Sequence, residues 1–210
     1  TYIFSATGSS MLSNSGTLNF DTSTIRFTGN GATTIPSFSY YNLQVYPGGA
    51  SVTHTLPASL TVNGNLDLGG NSNAASTVIT ASTNNTAMTV KGSITLCAST
   101  CSNQMTYTKG TGTLTWSPTG TVTWTDNNPT TKQDLGTISI TGGTSTPKIN
   151  LGSSVRASSV TVAASHELSA NGSNTLTLTG TATPFTVSGT FTYSTGTVAY
   201  TGNGATGIAA

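Results

Sequence analysis

One pattern occurs three times in this chain. It reads SGTLNFDTSTIRFTGNG from Ser15 to Gly31, TGTLTWSPTGTVTWTDNN from Thr111 to Asn128, and SGTFTYSTGTVAYTGNG from Ser188 to Gly204. Each copy is two short segments joined by a tight turn. Apolar residues sit at every second position: Leu18 and Phe20, then Ile25 and Phe27; Leu114 and Trp116, then Val122 and Trp124; Phe191 and Tyr193, then Val198 and Tyr200. A period of two is the period of a β-strand with one buried side. No segment carries helical apolar spacing over a useful length. The pattern therefore predicts an all-β protein whose core is built from these alternate residues.

A second motif sets the architecture. TVNGNLDL at Thr61 recurs as TVKGSITL at Thr89, and TVAASHEL at Thr161 recurs as TVSGTFTY at Thr186. The starts lie 28 (89 − 61) and 25 (186 − 161) positions apart. Such spacings suit successive coils of a solenoid. The expectation is a parallel β-solenoid (β-helix) of roughly eight coils. The alternative is two tandem β-sandwich domains, because Asp21-Thr-Ser and Ser194-Thr-Gly read as hairpin turns. As a solenoid, residues 1–210 form one continuous repeat domain, with a partial coil at 1–14 and long repeats at 15–110 and 111–210. Residues 15–33 align with 188–206 at a constant offset of 173 (188 − 15). The reading is that the chain begins and ends at matching phase, in mid-repeat, and continues end to end.

Charge narrows the function. Only 5% of the 210 residues are charged and the formal net charge is +1, so no basic field exists to hold a nucleic acid. The polar surface must be Thr, Ser, Asn and backbone. No apolar run approaches the roughly 20 residues that span a bilayer as a helix. The 24 glycines and pairs such as Asn30-Gly31 and Gly48-Gly49 mark many turns. The chain starts at Thr1, which reads as a processed product or a fragment.

The order TGNGATTIPSFSYYNLQV, ASLTVNGNLDL, TVKGSITL, GTGTLTW resembles the β-strand repeat regions of large bacterial extracellular, adhesin-like surface-stalk proteins. The resemblance covers nearly the whole chain. It implies an extracellular or cell-surface location and a structural role, and it carries no catalytic residues to transfer.

Residues that could carry chemistry are few. Cys97 and Cys101 lack the further ligands a zinc site needs and are not spaced as a redox CxxC. They read as a small disulfide that pins a loop, which points to an oxidising compartment. The acids Asp21, Asp67, Asp126, Asp134 and Glu167 are scattered, and no pair falls two apart on one strand face. They read as turn formers or solubilising groups, and Asp126-Asn127-Asn128 as a turn rather than a calcium loop. His54 and His166 occupy unrelated positions, and no GxSxG supports a triad. TGNGAT at 28–33 and 201–206 lacks the helix and lysine of a phosphate loop. No catalyst, cofactor or metal is expected. The aromatic rows read as core. The Thr rows at 113–115, 121–125, 175–179 and 190–192 read as the outer surface, and stacked they suit a repetitive surface such as polysaccharide or ice, although Asn19 and Arg26 interrupt them. The expected partners are copies of the chain or further repeats end to end, with cell-surface glycans as a further class.

Overall fold

The computed structural model describes residues 1–8, 12, 18–49, 51–70, 77–98, 104–143, 146–204 and 207. The described chain is all-β, and every strand pairing is parallel. It winds as a three-sided β-solenoid of about eight turns. One side is a nine-stranded sheet: Tyr2–Phe4, Thr24–Phe27, Asn42–Val45, Leu66–Leu68, Ile94–Leu96, Thr121–Asp126, Lys148–Leu151, Glu167–Ser169 and Thr190–Thr192. The second is seven-stranded: Ser39–Tyr40, Ser59–Val62, Ala87–Val90, Thr113–Trp116, Thr137–Ile140, Ser159–Val162 and Phe185–Val187. The third is split. Thr33–Thr34, Thr53–Thr55, Val78–Thr80 and Thr106–Thr108 make one sheet, and Val155–Ala157, Thr175–Leu178 and Thr197–Tyr200 make another.

A complete coil visits the seven-stranded side, then the nine-stranded, then the split side. Thr61 pairs with Thr89, and Thr161 with Thr186, so each TVxG recurrence is one turn of the solenoid. The glycine in it has a steric cause. A Cβ on Gly92 would land on the backbone carbonyl of Gly64, one coil below. Successive coils touch backbone to backbone at this corner, which leaves no room for a side chain. Coil length is not constant. It is 18 residues between paired Ile25 and Leu43 (43 − 25) and 30 between Ile94 and Trp124 (124 − 94).

The tight links of the threefold motif are corners, not hairpins. Thr113–Trp116 pairs with Ala87–Val90 and Thr137–Ile140, while Thr121–Asp126 pairs with Ile94–Leu96 and Lys148–Leu151. Trp116 and Trp124 meet across the core, edge to face, with ring centroids 5.9 Å apart. The tandem-sandwich alternative is thereby replaced by the solenoid.

The motif copies are not equivalent in space. Copy two runs from the seven-stranded side to the nine-stranded side. Copy three runs from the nine-stranded side, Thr190–Thr192, to the split side, Thr197–Tyr200. Ile25 pairs with Tyr2 and Leu43, whereas its sequence counterpart Val198 pairs with Leu176 on another face. The inference of matching phase from the 173-residue offset is therefore corrected: the likeness is that of a strand–corner–strand unit, and it slips by one side. What is shared is the turn, since Asp21 and Ser194 both have positive φ, 42° and 51°.

The interior is a filled core. Ile25, Phe27, Leu66, Leu68, Ile94, Leu114, Trp116, Trp124 and Leu176 are buried, as the alternation predicts. Leu18, Phe20, Val122, Phe191, Val198 and Tyr200 are only half-buried, and Tyr193 is 69% exposed. Phe191, Tyr193, Val198 and Tyr200 belong to the last described coil.

Candidate functional site

The two ends of the stack carry the most exposed large apolar side chains among the described residues. Along the nine-stranded side Tyr2 pairs with Ile25, Ile25 with Leu43, Leu43 with Leu66, Leu66 with Ile94, Ile94 with Trp124, and Trp124 with Leu151. Asn150 pairs with Ser169, and Ser169 with Thr192, so this inward column runs on to Ala170 and Tyr193. Everything between is buried, while Tyr2 is 61% and Tyr193 69% exposed. One column of core side chains thus surfaces at both ends. Beside Tyr2 lies a cavity of about 270 Å³ lined by Phe4, Asn19, Phe20, Asp21, Ser23 and Ile25. At the other end Phe185 and Phe191 meet edge to face at 5.1 Å. Among the described residues the outermost strands of the nine-stranded side, Tyr2–Phe4 and Thr190–Thr192, each have a strand partner on one edge only.

The acids serve structure in different ways. Asp21 is exposed at its corner. Asp67 accepts from Gln44 Nε2 at 2.9 Å and from the Tyr46 hydroxyl at 3.4 Å. Gln44 in turn accepts from Arg26 Nε at 2.7 Å, and the Arg26 guanidinium lies 4.9 Å from the Tyr46 ring centre. Glu167 pairs with Lys148 at 2.8 Å and accepts from Thr192 at 2.8 Å. These hydrogen bonds hold its carboxyl below the ordinary value of 4.5. Asp134 pairs with Lys109 and accepts from Thr179 Oγ1. It bridges the gap in the split side, where Gln133 Oε1 accepts the Tyr107 backbone N–H at 2.8 Å and so replaces a strand partner.

Asp126 departs from the expectation that acids sit at turns or outward positions. It pairs with Leu96 and is fully buried in the neighbouring inward column, two residues along its strand from Trp124. Its carboxylate accepts from the backbone N–H of Asn128 at 2.9 Å, Asn128 Nδ2 at 2.7 Å and the Gln133 N–H at 2.6 Å. Lys132 Nζ caps the carbonyls of Asp126 and Asn128, each at 2.8 Å. Burial pushes its pKa above the ordinary 3.8. A signal was present in the sequence: Asp126 shares parity with inward Val122 and Trp124. The cluster folds a loop on itself, with its carboxylate lone pairs taken by the chain's own donors.

The histidines lie apart. His54 is buried on the split side, pairs with Thr33 and Ile79, and lies 3.2 Å by Nε2 from the Gly29 carbonyl. His166 sits at a corner with its ring nitrogens against the carbonyls of Ala164 and Gly142. Among the described residues no three of His, Cys, Asp and Glu stand close enough to hold a metal. Cys97 is buried at the end of its strand, with its N–H donating to Leu68 O at 2.7 Å. Cys101, and with it the expected Cys97–Cys101 bridge, lies outside the described residues. Among those residues no helix is long and apolar enough to cross a membrane.

The TamB C-terminal domain family matches residues 4–204, and the chain belongs to that family. The family is associated with the bacterial envelope and outer-membrane region, and a structural role there agrees with the fold. The match is to this envelope family and not to adhesin repeats as such. No curated protein and no solved structure matches the chain.

Proposed function

We propose, from the premise that the chain belongs to the TamB C-terminal domain family, that it is a non-catalytic structural segment of a fibre or stalk at the bacterial cell surface. Further coils complete its two end slices, supplied by copies of the chain or by further repeats. The observation that carries this reading is the column from Tyr2 to Tyr193, buried along its length and open at both ends. Parallel strands run in the same sense at both ends, so a coil set on one end meets the unpaired edge of the other head to tail. Head-to-tail contacts that do not close produce rods. A covered slice removes apolar area from water at roughly 25 cal/mol per Å².

The test is sedimentation and electron microscopy of the chain over a range of concentrations. The expected result is rods longer than one 21.1 kDa unit, shortened in Tyr2→Glu and Tyr193→Glu. A species that stays at one unit at every concentration, with both variants behaving alike, overturns self-assembly.

A further inference from the structure

The three sides of the solenoid differ in chemistry. On the seven-stranded side one outward column runs Ser39, Thr61, Thr89, Thr115, Ser139, Thr161, Thr186, each residue paired in register with the next. Every strand contributes a hydroxyl, without a break. Two residues earlier on the same strands lies a second column, in which Ser59 pairs with Ala87, and Thr113 with Thr137 and then Ser159. Arg26, which breaks the Thr pattern in sequence, points out from the nine-stranded side instead.

None of the seven strands holds a charged residue. Arg26, Asp67, Lys148 and Glu167 are on the nine-stranded side, and Asp134 and Arg156 on the split side. The hydroxyls are also unspent. Thr61, Thr89, Thr115, Thr161 and Thr186 make no side-chain hydrogen bond within the described residues, whereas the polar groups of the nine-stranded side are tied to one another. Neighbouring strands are about 4.8 Å apart and residues two apart on a strand about 6.6 Å. The result is a two-dimensional grid of hydroxyls and methyls: the threonine hydroxyls of the first column are free, while in the second Ser159 Oγ donates to Thr137 Oγ1 at 3.4 Å and Ala87 carries none.

We propose that this seven-stranded side binds an ordered water lattice, the surface of ice. The oxygen repeats of ice fall in the range of the grid. Both partners are uncharged, so neither must shed tightly held hydration. Threonine methyls between the hydroxyls hold the first water layer in place without offering it competing donors. A crystalline polysaccharide has a similar repeat, but sugar rings are gripped by aromatic faces, and the outward positions of these seven strands carry no aromatic residue.

The experiment grows ice slowly from a solution of the 210-residue chain, measures the fraction of protein taken into the ice, and reads thermal hysteresis on the same sample. Thr115→Lys/Thr161→Lys places two charges in the grid; Thr95→Lys, on the nine-stranded side, is the control. Melting curves confirm that all three chains fold. The expected result is enrichment in ice for the parent and control, and its loss in the double variant. Exclusion of the parent from ice, or equal behaviour of the double variant and control, overturns the proposal. So does binding to microcrystalline cellulose or chitin, but not ice, that the double variant loses. Rod formation is read separately by sedimentation, so its failure does not bear on this result.

Discussion

The carboxylate of Asp126 holds the backbone amide of Gln133 at 2.6 Å inside the column that Leu96 occupies one coil earlier. An apolar position has been given to an acid because the chain has to turn back on itself there, between Asp126 and a residue seven positions on. Asp126→Ala should strand the amides of Asn128 and Gln133 and cost roughly 2 to 5 kcal/mol. Urea unfolding measures this. A midpoint within error of the parent would show that the loop does not depend on the carboxylate.

Trp116 and Tyr193 make a paired test of burial. Trp116 is fully buried and donates from its indole N–H to Gly92 O at 2.9 Å. Its replacement by Ala should cost about 3 to 5 kcal/mol through lost transfer energy and a cavity. Tyr193→Ala, in dilute solution, should stay within about 0.5 kcal/mol. Thermal melts of the two variants give the comparison.

At the corner, Gly92→Ala forces a methyl against the Gly64 carbonyl. Backbone cannot rotate away as a side chain would, so the two coils must separate locally. The expected cost is about 1 to 3 kcal/mol, read as a lower denaturation midpoint. Gly120, where an added Cβ meets nothing within 4 Å, is the control position for Ala.

His54 predicts a pH dependence. Burial pushes its pKa below the ordinary 6.5, with the Gly29 carbonyl opposing. The unfolded chain therefore binds a proton that the folded chain resists. The stability associated with this group is complete above about pH 6.5 and is lost as the pH falls below that value toward the folded pKa. Melting temperature should drop between pH 7.5 and 5.5 in the parent, and drop less in His54→Leu. Identical pH profiles would remove His54 as the cause.

For the thiols, Cys97 and Cys101 should be bonded to each other. A ring this short contributes only about 2 kcal/mol through chain entropy. Reduction should lower the midpoint modestly and leave the β signal in circular dichroism unchanged. Two thiols titrating in the unreduced native protein would refute the bridge.

Much of this fold was legible because a strand has only two faces. Alternation alone identifies Ile25, Phe27, Leu66, Leu68, Trp116 and Trp124 as inward, and the TVxG spacing gives the pairing of Thr61 with Thr89. What parity cannot report is which side of a three-sided coil a strand joins. That depends on corner lengths, which vary from coil to coil. Trp116 and Tyr193 therefore look equivalent in sequence yet occupy different sides, and Arg26 looks like a break in a hydroxyl row to which it does not belong. Asp126 is hard to place for another reason. Its residue type suggests a turn, whereas its parity with Val122 and Trp124 points inward.

The variable coil length has a mechanical meaning. The strands lie across the axis of the stack, so a pull along that axis would load the hydrogen bonds of only the outermost coil. Each coil would peel in turn, adding little resistance beyond its own ladder. A coil of 18 to 30 residues that occupied about 4.8 Å of the stack would pay out roughly 60 to 100 Å of extended chain. Long coils would yield more slack than short ones. A tether of this kind would stretch by steps of unequal size, and the order of those steps would be written in the lengths of its corners.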